Sequence, residues 1–401
     1  MESGEWGRQV ISVLLLVVIL LSSGCASILE GDTLIYSPYE PAQDIGPPED
    51  QVVVSNYEEL KSAMLNIVMQ YDDIGLIIIL SYDGYIQEDV DRAASEIITS
   101  DPIGAYAVSD IAGIATRIVT YFEVEISVEY KRTRQQVESI VTVSRMQELR
   151  GELLDAMRSY REDLLIRTDL RNVMEDDILS FVRGTYYNNP LSIVMMPITA
   201  IDTFPEAGSD RVFEISFGHL HPANILRENT ASLVVSVQRN AEAAVGESDA
   251  EKLLSLAEIL IAASIFDEEQ ARTISEHGAQ NFAATALGAL VSGNAVGEGF
   301  AMAFKALCDE LEIDCRVVLG YLDGMVHAWN IVMLYGDYYH IDVSMGAING
   351  LETAFLKNDL DFTELYSWDT GNTVRCQGTM TYWDVVDAQT PSPVIESEED
   401  D

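Results

Sequence analysis

The chain has 401 residues, 48% of them hydrophobic and 22% charged, enough for two or three domains with a sizeable buried core. Acidic residues outnumber basic ones 66 to 23, a formal net charge of −43. That charge repels nucleic acid and anionic lipid, so no nucleic-acid partner is expected; it suits solubility and cationic partners.

In chain order, residues 1–24 read as a lipoprotein signal peptide rather than part of the fold. Arg8 supplies the positive charge of a short leading region, and residues 10–21 are an apolar run interrupted only by Ser12. That run is shorter than the ~20 residues a membrane-spanning helix needs. Leu21-Ser22-Ser23-Gly24-Cys25 then resembles a bacterial lipobox, small residues before a cysteine that can be acylated. The expectation is an extracytoplasmic protein held to the cell membrane by lipid on Cys25, on a Gram-positive cell surface. Residues 25–50 hold four prolines and no helical or strand period, and read as an extended tether. Residues 387–401 read as an acidic tail.

Two α+β repeats are predicted next, over residues 51–133 and 139–221. VVVSNYEELKSAML at 52–65 parallels VTVSRMQELRGELL at 141–154, with one offset of 89 residues. Each repeat reads as a strand, an amphipathic helix, a strand, a second helix and a pair of strands. IGLIIIL at 74–80 suits a buried strand, and FEVEISVEY at 122–130 alternates as a half-buried one. Ser55 and Ser144 are placed as helix N-caps, with Glu58 and Gln147 completing capping boxes. Nothing in either repeat carries catalytic chemistry; a spacer or a binding surface is expected. Residues 225–285 are helical in period and should pack on the domain that follows.

The chemistry lies in residues 286–386. Residues 297–311 (GEGFAMAFKALCDEL) predict a helix with Phe300, Phe304, Leu307 and Leu311 on one face. RVVLGYL at 316–322, HAWNIVML at 327–334 and YYHIDVS at 338–344 predict strands, the last two joined through Gly336-Asp337. A helix N-terminus beside such a sheet lowers a thiol's pKa, a neighbouring imidazole takes its proton, and a third group orients the imidazole. His327 and Asp342 have the types for the last two roles.

Here the sequence resembles the transglutaminase-like (papain-related) superfamily as it occurs in bacterial lipoproteins. Leu287-Gly288-Ala289-Leu290 with Glu298-Gly299-Phe300-Ala301, then His327-Ala328-Trp329-Asn330, then His340-Ile341-Asp342-Val343 follow three blocks of that family in order. The resemblance implies an α+β fold with a Cys-His-Asp triad in a cleft, and it places Gly297 at the nucleophilic cysteine. Cys308 lies about 16 Å further along the helix at ~1.5 Å per residue, too far to substitute. Ser292 is upstream of the site. The expected register sets Asp342 opposite Ile331, about 13 Å along the strand from His327, so contact would require a bulge.

The vestigial triad Gly297, His327 and Asp342, with Glu298, Trp329 and Asn330 lining the cleft, leads to a non-catalytic domain. Its expected ligands are peptide, cell wall or glycan. One alternative is a cysteine-independent protease-like or acyl-transfer hydrolase using His327 and Asp342; another is a scaffold for an envelope protein. No metal or cofactor is expected: His219 and His221 lack further ligands, and His340 stands beside Asp342 without support. With Cys25 lipidated, one Cys308–Cys315 or Cys315–Cys376 bridge is compatible with the remaining thiols.

Overall fold

The computed structural model describes residues 52–171, 173–277 and 281–389. The signal peptide, the tether, Cys25 and the last residues of the acidic tail lie outside them.

The first unit runs β1 (Val52–Val53), α1 (Tyr57–Gln70), β2 (Ile74–Ile79), α2 (Ile86–Ser100), α3 (Pro102–Ala107), β3 (Val108–Ile118) and β4 (Tyr121–Tyr130). The sheet order is β1-β2-β4-β3, with β1 and β2 parallel and the other pairs antiparallel. Leu60, Met64 and Val68 of α1 and Val90, Ala93 and Ile97 of α2 close one face over Ile77, Ile79, Val124 and Ile126. After α4 (Arg134–Glu138) come β5 (Val141–Val143), α5 (Met146–Arg158), β6 (Asp163–Thr168), α6 (Glu175–Asn188), β7 (Ile198–Phe204) and β8 (Arg211–Gly218). Their order is β5-β6-β8-β7. Val52 pairs with Ile77 and Val141 with Ile166; Ile74 pairs with Ser127 and Asp163 with Ser216. The registers therefore coincide at an offset of 89 residues.

The helix caps fall one residue later than the sequence predicts. Asn56 caps α1, accepting from the Glu59 amide, and the Glu59 carboxylate accepts from the amide and hydroxyl of Ser55. At α5 the Glu148 carboxylate accepts from the amides of Ser144 and Arg145. Glu58 and Gln147 have no part in it, because the reaching carboxylate must sit a full turn inside the helix.

The two units touch directly. Leu165 and Val212 of the second sheet join the first unit's core. Arg132 pairs with Glu214 at 2.5 Å and lies over the rings of Tyr106 and Phe204.

The C-terminal part opens with α7 (Ala223–Ala243) and α8 (Asp249–Ala263), then β9 (Ile265–Phe266), α9 (Glu268–His277) and β10 (Asn294–Ala295). Next come α10 (Gly297–Glu310), β11 (Cys315–Leu322), β12 (Met325–Leu334), β13 (Asp337–Ile341) and α11 (Val343–Asn349). Then follow α12 (Asp359–Phe362), β14 (Tyr366–Trp368) and α13 (Tyr382–Gln389). The antiparallel sheet has the order β13-β12-β11-β14. Only one apolar face was expected on α10, yet Met302, Ala303 and Ala306 are as buried as Phe300, Phe304 and Leu307. The sheet lies on one side of α10 and α7 with α8 on the other, so the helix is core all round. The expected boundary between core and tail at residue 386 falls inside α13, whose Val385 is buried. Among the described residues no helix is long and apolar enough to cross a membrane.

Candidate functional site

The β12–β13 turn decides the geometry. Leu334 pairs with Asp337 and Ile331 with His340, so the two loop residues are Tyr335 and Gly336, not Gly336 and Asp337. Both have positive φ, 53° and 96°, the conformation a two-residue hairpin turn demands. Tyrosine rarely adopts it, which is why the sequence points one residue further on. The correction brings the chain after β13 level with Trp329 rather than Ile331. Asp342 then leaves the strand as the N-cap of α11, and the distance of 13 Å collapses: His327 Nε2 lies 2.7 Å from Asp342 Oδ2.

Asp342 is buried and accepts three further hydrogen bonds, from Ser344 Oγ at 2.6 Å, the Met345 amide at 3.0 Å and Tyr366 Oη at 2.9 Å. Burial pushes its carboxyl up, but His327 beside it and these donors outweigh burial and hold it below the usual 3.8. The carboxylate can only accept, so Nε2 of His327 carries a proton, and in the neutral form of the ring Nδ1 keeps the lone pair. Sequence reasoning missed Ser344 and Tyr366. Ser344 carries a local signal, since Asp-x-Ser at a helix start is a capping pattern; Tyr366 carries none.

The Cε1–Nδ1 edge of the ring faces the first residue of α10. A Cβ built on Gly297 would lie 2.4 Å from Cε1 and 2.6 Å from Nδ1 of His327. The imidazole therefore fills the space a side chain at 297 would need. The two parts of a thiol-activating device are present, a base with its orienting carboxylate and a helix N-terminus. The position between them carries only hydrogen.

The three cysteines with described positions supply no substitute. Cys308, Cys315 and Cys376 are free and buried. Burial raises Cys308 well above its ordinary value, with the neighbouring Cys315 thiol adding to the shift, and pushes Cys376 up to about 12.

Glu298 and Asn330, expected to line the cleft, turn to partners within the protein, and Trp329, expected there too, packs in a separate cluster with Val318, Ile331, Phe362 and Tyr366. Glu298 accepts a bond of 2.8 Å from Tyr187 of the second unit. Burial pushes its carboxyl up, only partly opposed by that bond. Asn330 donates to the Ala301 carbonyl at 2.9 Å. Trp329 is 1% exposed and donates from Nε1 to His340 Nδ1 at 3.0 Å.

That last bond answers the question of a metal. His340, Asp359 and Cys376 bring one ligand atom each within 4.8 Å of one another. An indole nitrogen only donates, so His340 Nδ1 is the acceptor and Nε2 must hold the ring proton, which it gives to Asp359 at 3.0 Å. A cation at Nε2 would have to displace that proton and leave an imidazolate. The cluster reads as a hydrogen-bond chain beneath the site, with the His340 ring stacked 4.6 Å from Phe362. His219 and His221 do not converge either: His219 Nε2 meets the Arg161 carbonyl, and His221 stacks on Phe282.

What does open to solvent beside His327 is a groove of about 510 Å³. Phe266 of β9, α9, the β11–β12 hairpin and α11 form its walls, with His327 at its base.

A family model of the transglutaminase-like superfamily core matches residues 241–343. The match starts well before residue 286, so α8 and α9 belong with the domain. No curated protein sequence matches the chain. Among solved structures, a TGase aligns at 11% identity over 56% of this chain and 65% of its own, with a TM-score of 0.26. A candidate cysteine protease from Cytophaga hutchinsonii aligns at 13% identity over 37% of this chain and 62% of its own, with a TM-score of 0.23. The chain spans less than two thirds of the length of either structure.

Proposed function

We propose, from the premise that residues 241–343 form a transglutaminase-like superfamily domain related to cysteine proteases, that this domain no longer performs thiol chemistry and serves to bind. One observation carries the reading: Gly297 is the residue of α10 that the Cε1–Nδ1 edge of the His327 ring faces. Gly297 thus stands where the nucleophilic cysteine would be. Covalent catalysis cannot dispense with its nucleophile, whereas the groove beside it does not depend on the thiol.

The ligand classes that fit an extracytoplasmic protein are peptide, cell wall and glycan. In this reading residues 1–24 are a lipoprotein signal, Cys25 carries the lipid, and residues 25–50 tether the folded part to the outer face of the membrane. The two preceding α+β units, read as a duplication, act as a spacer or a second binding surface.

The intact His327–Asp342 pair favours one competing reading, a hydrolase that uses another group. Incubating the full chain with peptide amides and glutamine-containing acyl donors, followed by mass spectrometry of protein and substrate, separates the two. The binding reading predicts unchanged substrates and unmodified protein; turnover abolished by His327→Ala would establish the hydrolase.

A further inference from the structure

We infer that the groove beside His327 takes a peptide segment with apolar side chains flanked by lysine or arginine; this rests on the domain being a binding module and names its ligand class. Met325, Val326, Ile348 and Leu365 line the groove yet are 57%, 64%, 47% and 61% exposed. Large apolar side chains held this open to water beside one cavity form a contiguous patch of the kind that marks an interaction site. Two of the lining residues, Met325 and Met345, are methionines, whose flexible thioethers adapt to varied apolar partners.

The rim sets the charge of the partner. Two carboxylates, Glu268 and Asp323, and one guanidinium, Arg272, line the groove, and the chain as a whole stands at −43. A cationic flank is drawn to this rim and an acidic one repelled. A glycan is poorly served, because the apolar walls would leave many of its hydroxyls without partners. An anionic lipid surface is repelled by the same net charge.

The test uses the full chain and three fluorescent probes. One is a short leucine- and phenylalanine-centred peptide flanked by lysines, the second has the same centre flanked by glutamates, and the third is an N-acetylglucosamine oligomer. The lysine-flanked peptide should bind about tenfold or more tighter than the glutamate-flanked one, with the gap shrinking as salt rises. Val326→Ser and Leu365→Ser, at exposed positions that leave the core alone and the charge unchanged, should each weaken it about tenfold. Glu268→Lys with Asp323→Lys should reverse the preference between the two peptides. Equal affinity for both peptides, binding of the sugar in their place, binding indifferent to these variants, or no binding at all would overturn the inference. Mass spectrometry of the recovered peptide keeps the two readings apart. A cleaved or acyl-transferred peptide refutes the non-catalytic domain, while the charge preference is scored independently.

Discussion

The imidazole of His327 rests against the bare Cα of Gly297, so closely that a methyl group there would come within 2.4 Å of Cε1. Gly297→Ala should therefore destabilise the protein by about 1–3 kcal/mol, despite alanine's better helix propensity, by driving the ring off Asp342. The penalty should vanish in a His327→Ala background, because the three atoms nearest the added carbon all belong to His327. Urea unfolding of the four proteins of this double-mutant cycle reads the coupling. Additive effects would mean that the two residues do not touch.

Asp342 collects four hydrogen bonds in a buried site. Asp342→Asn removes the charge and offers an amide N–H to groups that need an acceptor, at a cost of about 3 kcal/mol. The acid response follows from the direction of its shift. A carboxyl held below 3.8 in the fold contributes stability that is complete above the unfolded value and drains away as pH falls through the folded one. Urea midpoints measured down to strongly acid pH should show this loss in the natural protein and not in the variant.

Glu298 responds with the opposite sign. Its carboxyl is pushed above 4.5 by burial, so the fold favours the protonated form. Stability is complete below the unfolded value and declines as pH rises through the folded one. Glu298→Gln keeps an acceptor for Tyr187 and removes the charge. The variant should match the natural protein in acid and exceed it above the folded pKa, a crossover visible in thermal melts taken across pH. Equal pH profiles for the two would show that Glu298 is as well solvated folded as unfolded.

Trp329→Phe deletes the single donor that pins His340 Nδ1. In the natural protein nitrogen chemical shifts of the histidine ring should report the Nε2–H tautomer. The variant should lose about 1–2 kcal/mol and keep the Nε2–H tautomer, because the Asp359 carboxylate still accepts from it. A ring already bearing its proton on Nδ1 before the substitution would contradict the assigned bond and reopen the cluster of His340, Asp359 and Cys376 to a metal.

Much of the site was legible in the sequence, because helix α10 and the strands around it are written in strong patterns. His327, Asp342 and Gly297 are identifiable from three short blocks and their order. What failed was register. Tyr335 adopts a left-handed conformation that its side chain disfavours, and placing the turn on Gly336-Asp337 instead separated His327 from Asp342 by four residues' worth of strand. The burial of Glu298 and Trp329 was equally hidden, since Glu298 is held by Tyr187 and Trp329 is covered by Phe362 and Tyr366, all from distant parts of the chain. Tyr366 reaches Asp342 from β14, and no local pattern announces it.

The sharpest test gives the site a sulfur atom and watches for chemistry. Gly297→Cys places a thiol at the N-terminus of α10 once the His327 ring has shifted to make room for its Cβ, and the displaced imidazole stays beside it to accept its proton. Alkylation by a thiol-directed electrophile near neutral pH should modify that thiol rapidly, and His327→Ala in the same background should slow it. The buried Cys308, Cys315 and Cys376 should stay unmodified. The natural protein should form no adduct and turn over no carboxamide. A covalent acyl intermediate on the natural chain, or an introduced thiol no more reactive with His327 than without it, would contradict the account.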